Sequence, residues 1–216
     1  VGSEMCIRDS LWFDAEANFE RFASKDSISY YLEKAKSVGF NQVVVDVKPI
    51  YGEVLYKSKI LPPLTTVNGK VIHRDWDYLQ YFINEARRLG LKVTVSTAMF
   101  PSGHPATNEG LVYEESRWDG KTCLEYTPDG KMLDIREDKK KVGAFLNPVR
   151  KDVRKFALSI VREIVKNYDV DAYALDYCRY PGDDSDFSAD SHKAFEHYLG
   201  CLLYTSPSPR DGLLSR

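Results

Sequence analysis

The sequence predicts an α/β fold, a (β/α)8 TIM barrel represented by about its first four β/α units. Amphipathic helices alternate with short Val-rich strands, and strands separated by helices must pair in parallel through right-handed crossovers. The junctions AKSVGFNQVVVDVKP and ARRLGLKVTVSTAMFP repeat one design of helix, glycine, strand and proline. The long connections leave the C-terminal ends of the strands, the end where barrel enzymes build their sites. An open doubly wound sheet is the alternative, but no glycine-rich loop follows any strand, which argues against a dinucleotide fold. A complete barrel needs about 250 residues, and this chain has 216.

LWFDAE (11–16) reads as the first strand. The first helix covers about 27–38, where Ile28, Tyr31, Leu32, Ala35 and Val38 recur at helical spacing. Asp26 can cap it and Gly39 ends it. QVVVDVK (42–48) is the second strand, stopped by Pro49. The second helix spans about 76–89, with Asp75 as cap, an apolar stripe of Leu79, Phe82, Ile83, Ala86 and Leu89, and Gly90 as terminator. KVTVSTAMF (92–100) is the third strand, stopped by Pro101. The third helix is expected to start at Asn147 as cap with Pro148 in the first position, where a missing N–H costs nothing. AYALD (172–176) is the fourth strand, and a last helix falls at about 189–199. The connections at about 49–74 and 101–146 are far longer than usual. Within the second, DGKTCLEYTPDGKMLD reads as a small hairpin, expected as a lid over a cleft.

The 30 basic and 32 acidic side chains leave a formal net charge of -2, with no basic block to suggest nucleic acid. No apolar run reaches the ~18 residues of a membrane span. The four cysteines show no metal or redox spacing and leave the compartment open. Neither do His73, His104, His192 and His197 form a metal-ligand pattern, so no metal and no cofactor is expected. The two ends, VGSEMCIRDS (1–10) and CLLYTSPSPRDGLLSR (201–216), resemble translated sequencing-adapter sequence. They are expected to be non-native tails around a natural segment of 11–200, whose own localisation is then unknown.

Candidate chemistry gathers at the strand ends. Asp176 closes an apolar strand, and a carboxylate there is costly to bury unless it is paired or used. It is the candidate general acid or base; the structural reading is a salt bridge to Arg179 or Lys48. Arg179 and Tyr180 follow as candidate ligand contacts or loop anchors. Asp46 and Lys48 are expected on one face of the second strand, paired with other carboxylates or bound to substrate. Asp14, Glu16 and Asn18 form the corresponding group at strand one, with Glu16 and Asn18 as candidate substrate contacts. Tyr51 and Glu53 open the long loop and can line the cleft. His104, in PSGHP, is a candidate contact, and Trp118 is the candidate for stacking on sugar.

FLNPVRKDVRKFALSIVREIVKNYDVDAYALDYCRYPG resembles the glycosyl hydrolase-like 10 family, the "family 10 glycosylhydrolase" proteins of Bacteroidota. The likeness lies in the Asn-Pro helix start, the YDVD turn, and a strand ending on Asp before an aromatic-Pro pair. VVVDVKPIYGEVLYKS is similar to a second family segment, with Lys48 in the position of an Arg. Ala172 replaces a usual Gly, and Tyr177 stands where a second Asp is frequent. The resemblance covers nearly all of 12–200. It implies a TIM-barrel hydrolase of glycosidic bonds in a polysaccharide or in peptidoglycan, exported or lipid-anchored. By that analogy Asp176 is the strand-four acid/base, and its partner carboxylate lies beyond residue 200. The fragment is then expected to be inactive, with open sheet edges that self-associate. The alternatives are a non-catalytic glycan-binding barrel and a different barrel hydrolase or lyase with a phosphate site.

Overall fold

The computed structural model describes residues 10–200, so the remainder of both expected tails lies outside the described residues. The chain order is β1 (Ser10–Phe13), α1 (Lys25–Ser37), β2 (Gln42–Lys48), β3 (Thr66–Val67), β4 (Lys70–Val71), α2 (Tyr78–Arg88) and β5 (Lys92–Ala98). It continues with α3 (Leu111–Glu114), a 3-10 turn (Ser116–Trp118), β6 (Leu124–Tyr126), β7 (Met132–Asp134), α4 (Lys151–Asn167), β8 (Ala172–Asp176) and α5 (Ala189–Leu199). The principal sheet is four-stranded and parallel, in the order β1-β2-β5-β8. Each strand therefore sits beside the one before it, and successive crossovers advance in one direction.

Strand period splits the sheet into two chemically different faces. One face carries the rows Leu11–Val43–Val93 and Phe13–Val45–Val95–Tyr173. Its Val43, Val45, Val93 and Val95 are wholly buried in a core with Ile28 and Leu32 of α1 and Leu79, Phe82 and Ile83 of α2. Phe13 meets Phe22 and Phe82 at ring-centroid distances of 5.2 and 5.4 Å. The other face carries Trp12–Val44–Thr94–Ala172, then Asp46–Ser96–Ala174, then Ala98–Asp176. Above the Trp12–Val44 row its side chains are small or polar, which leaves room around the carboxylates at its upper rim.

Several caps lie beside the expected ones. Ser24, not Asp26, accepts from the Ser27 N–H and caps α1; Asp26 adds its charge to the first turn. Asp77, not Asp75, caps α2. Gly39 and Gly90, with φ of 101° and 66°, follow the ends of α1 and α2 as expected. Asn147 does not cap α4, and Pro148 is not its first residue: α4 starts at Lys151. Asn147 Oδ1 accepts from Val149 N–H in a turn ahead of the helix, while its Nδ2 donates to Asp186 and Ser188. β1 ends at Phe13, and residues 14–22 form turns because Asp14 Oδ1 accepts from the Ala17 N–H at 2.7 Å. The hairpin β6–β7 forms as expected, but it leans on residues 184–187, through Tyr126 N–H to Asp184 O and Phe187 N–H to Leu124 O.

The long connections are pinned to the core. Glu163 of α4 accepts from Tyr56 Oη, Ser58 Oγ and the Lys59 N–H, tying the loop after β2 to a helix over 100 residues away. Beyond β8 the packing thins. Leu175 is 53% exposed, and Phe195 and Tyr198 of α5 are exposed.

Candidate functional site

The C-terminal ends of β1, β2 and β8 meet at one cavity of 360 Å³. Its walls include Trp12, Asp14, Glu16, Asp46, Asp176 and Tyr177, with Ala98 from β5 between the strand ends. Three of the candidates, Glu16, Asp46 and Asp176, are thereby brought together, and Asp14 joins them.

Each carboxylate is held by backbone rather than by a cation. Asp14 accepts from Ala17 N–H, and Glu16 accepts from Ile50 N–H at 3.3 Å. Asp176 accepts from Tyr177 N–H at 2.8 Å, while its own carbonyl takes Met99 N–H from the neighbouring strand. Asp46 is 9% exposed. Burial, then the charges of Asp14 and Glu16, push its carboxyl up to about 7 against the pull of the Ala15 and Lys48 N–H groups. Burial likewise raises Glu16, with Ile50 N–H opposing and Asp14 adding to the shift.

The ion pairs expected for Asp176 do not form among the described residues. Arg179 is exposed and donates to the carbonyls of Tyr180 and Pro181, with its guanidinium 5.2 Å from the Tyr177 ring centroid. Lys48 is fully buried and donates to Ala98 O at 2.5 Å and Pro101 O at 2.8 Å. The expectation that it shares a face with Asp46 fails because the register slips: Asp46 pairs Ser96 but Lys48 pairs Thr97. Two residues of β2 oppose one of β5, a bulge that puts Lys48 out of phase with Asp46. Lys48 therefore ties the crest of β5, where Ala98 pairs with Asp176, to the crest of β2.

The other candidates stand away from the cavity. Asn18 is used within the turns after β1, donating to Asp14 O and accepting from Arg21. Tyr51 is 1% exposed and stacks on half-buried His104 at 5.6 Å and 14°, behind the Ile50 wall. His104 in turn meets Thr107 through Nδ1. Trp118 is buried, not presented to a ligand: Phe156 of α4 packs on it at 4.6 Å, and the Arg117 guanidinium lies 4.7 Å from its ring. Tyr180 turns toward Ser191 of α5 instead of framing the cavity. Glu53 lies with Glu109 and Glu114, which raise its carboxyl, with burial as the main cause, to about 7. No residue of the expected lid lines the cavity.

Sequence reasoning missed Trp12 and Tyr177 as cavity residues. The period-two pattern of β1 would have placed Trp12 on the face opposite Leu11 and Phe13, in the row of Val44. Tyr177 is reached only through its left-handed backbone, φ 45°, directly after the last strand residue. A second hollow, of 330 Å³, lies between the loop after β2 and the start of α2. It has no carboxylate, and the Arg74 in its wall is held between the rings of Phe19 and Tyr78. Among the described residues no group of three His, Cys, Asp or Glu is arranged to hold a metal, and no helix is long and apolar enough to cross a membrane.

Comparison with known proteins places this cavity in context. An S-layer-related protein of Niallia circulans is 35% identical over 198 residues, covering 88% of this chain and 12% of that protein. Glycosyl hydrolase DigH of Escherichia coli K12 is 30% identical over 159 residues, covering 70% of this chain and 34% of that protein. The chain thus spans about a third or less of the curated relatives it matches. Among solved structures, alpha-L-fucosidase isoenzyme 2 from Paenibacillus thiaminolyticus superposes with a TM-score of 0.60 at 17% identity, over 90% of this chain and 26% of that one. That likeness is one of fold, an α/β arrangement shared with glycosidases of TIM-barrel type. Residues 7–200 match the family described as glycosyl hydrolase-like 10, and the chain belongs to that family.

Proposed function

We propose that the chain forms the first four β/α units of a glycoside hydrolase barrel and that its rim carboxylates act on a glycan. The observation that carries this reading is the convergence of Asp14, Glu16, Asp46 and Asp176, from the ends of the three strands β1, β2 and β8, on one cavity. The barrel form is supported by strand order: sequential parallel strands with one-directional crossovers curl into a barrel, whereas a doubly wound sheet reverses its order. The exposed apolar side chains of β8 and α5 are where a fifth unit would pack, and in its absence they favour self-association.

Asp176 stands at the end of β8, half-buried and without an ion-pair partner among the described residues, and serves as acid/base. It gives a proton to the leaving glycosidic oxygen and takes one back from water in the second half of the reaction. Asp46, whose carboxyl keeps its proton up to about pH 7, donates a hydrogen bond to a sugar hydroxyl. Glu16 and Asp14 accept from neighbouring hydroxyls. This chemistry needs a second carboxylate across the scissile bond, which a further strand of a complete barrel would supply; the four units described here are expected to bind a glycan without it.

The test is glycan cleavage by the protein encoded by the continuous gene past Gly200, compared with its Asp176→Asn variant. Loss of about 10²–10⁴ in turnover with an unchanged melting temperature supports the reading. A D176N protein that cleaves at the wild-type rate overturns it. Glycan binding by the wild type without any product identifies a non-catalytic glycan-binding barrel instead.

A further inference from the structure

The carboxylate cavity has an aromatic wall with an unoccupied face. Trp12 lies on the cavity-facing row of β1, beside Val44, and is 46% exposed. The other two tryptophans are engaged: Trp118 against Phe156, and Trp76 stacked on Tyr78 at 6.1 Å. Among the described residues no aromatic ring and no cation is seated on Trp12. A large apolar face left open beside hydrogen-bonding groups is what a pyranose requires, since its C–H face packs on an indole while its hydroxyls reach acceptors. Tyr177 shares the cavity wall with it, its own ring braced edge-on by Phe145 at 5.8 Å. Small Ala98 leaves the space between the strand ends clear.

The charged groups around this space are acidic. Asp14, Glu16 and Asp176 line it together with Asp46, which adds its own charge above about pH 7, and among the described residues no Lys or Arg lines it. Two basic residues of the same strand ends are committed elsewhere, Lys48 to the carbonyls of Ala98 and Pro101 and Arg179 to those of Tyr180 and Pro181. A ligand carboxylate entering here meets like charge in a partly desolvated site and no donor fork to receive it. We infer that Trp12 is a sugar-stacking platform and that this subsite takes a pyranose without an acidic substituent, neutral or basic, and rejects a uronate. This inference rests on reading the cavity as a glycan site.

The test uses the ¹⁵N-labelled chain and its indole N–H resonances, with Trp12 assigned by Trp12→Phe. The probes are a trimer of β-1,4-linked N-acetylglucosamine, the corresponding glucosamine trimer, and trigalacturonate. The neutral and basic trimers are expected to shift the Trp12 indole and the Asp176 amide saturably. Trigalacturonate should need at least about tenfold more ligand for the same shift. Trp12→Ala should weaken binding about tenfold, and Trp12→Phe, which keeps an aromatic face, should restore most of it. Phe also serves as the readout if the Ala variant melts early. Equal binding of trigalacturonate, or binding indifferent to both substitutions, overturns the inference while leaving a glycan site in place. No binding of any probe by the wild type overturns both.

Discussion

Asp46→Asn should stabilise the protein at pH 8 and not at pH 4. Burial and the charges of Asp14 and Glu16 raise the Asp46 carboxyl from 3.8 to about 7. The folded state therefore holds a proton that the unfolded chain has already released. Its stabilising contribution is fully present below about pH 3.8 and is lost as pH rises through 7. A separation of about 3 units at 1.36 kcal/mol each puts the loss at roughly 4 kcal/mol by pH 8. Asparagine is neutral throughout and removes that loss. Its NH2 group accepts no hydrogen bond, whereas both oxygens of the carboxyl can, protonated or not, so one of the Ala15 and Lys48 N–H groups loses its acceptor, for about 1 kcal/mol. The net expectation is a gain of about 3 kcal/mol at pH 8 and a loss of about 1 kcal/mol at pH 4. Urea unfolding of both proteins at the two pH values measures this directly. Glu16, also raised, stays behind as residual pH dependence in the variant. A D46N protein no more stable than wild type at pH 8 refutes the reasoning, and an equal gain at both pH values assigns the effect to packing.

Lys48 gives the opposite pH arm: burial depresses its ammonium from 10.5 to about 7, with Asp46 opposing, so the wild type should gain stability as pH rises from 7 toward 10.5. Lys48→Met should flatten that rise and, at pH 10, destabilise by about 1–3 kcal/mol for the carbonyls of Ala98 and Pro101 it leaves without a donor, read from urea midpoints across pH 6–10. Gly110→Ala should be among the most damaging single-atom additions in the fold. At φ 98° its Cβ would stand 2.4 Å from Tyr51 O and 2.9 Å from Gly103 Cα, backbone that cannot yield, for about 2–5 kcal/mol. Gly39→Ala, at φ 101° with nothing within 4 Å, should lose only about 1–2 kcal/mol, and thermal melts separate the two.

The backbone of the fold was legible because its signals are local. Val-rich runs closed by proline, and helical stripes closed by glycine, mark β2, β5, α1 and α2 to within a few residues. The site was legible only where strand period alone decides direction. Asp46 and Asp176 follow that rule and reach the cavity; Lys48 does not, because a one-residue bulge is invisible to a count of alternating residues. Asn18 was lost for a related reason. The alternation that set it beside Asp14 and Glu16 stops at Phe13, where the Asp14 side chain turns the chain. Trp118 failed on a different ground. An aromatic residue in a long polar loop looks available to a ligand, yet this loop folds back under α4, and only tertiary contact reveals that Phe156 covers the ring. Trp12 is the converse: a tryptophan inside a strand looks like core, and its exposure follows from the open, polar face of the sheet.

The same polar face explains why four acids can share a rim. Among the described residues none of them is paired with a lysine or arginine; each is restrained by backbone N–H groups that fix its position and leave its remaining oxygen lone pairs open to the cavity. A cation at the same place would offset the repulsion that, after burial, raises Asp46 and Glu16. It would also occupy the lone pairs that a proton or a hydroxyl must reach. The buried ammonium of Lys48 sharpens the point, since it comes from the residue two places after Asp46 and still points away, onto Ala98 and Pro101 carbonyls. The sheet thus uses the buried Lys48 amine to brace the strand crests, with its hydrogen bonds directed to carbonyls and not to the acids. A cation brought to the cavity wall at half-exposed Val142, by Val142→Arg, should raise stability at pH 8 in proportion to the repulsion it relieves and, on the glycan reading proposed above, abolish binding in the same step. The two readouts moving in opposite directions are the signature of carboxylates kept for chemistry and not for structure.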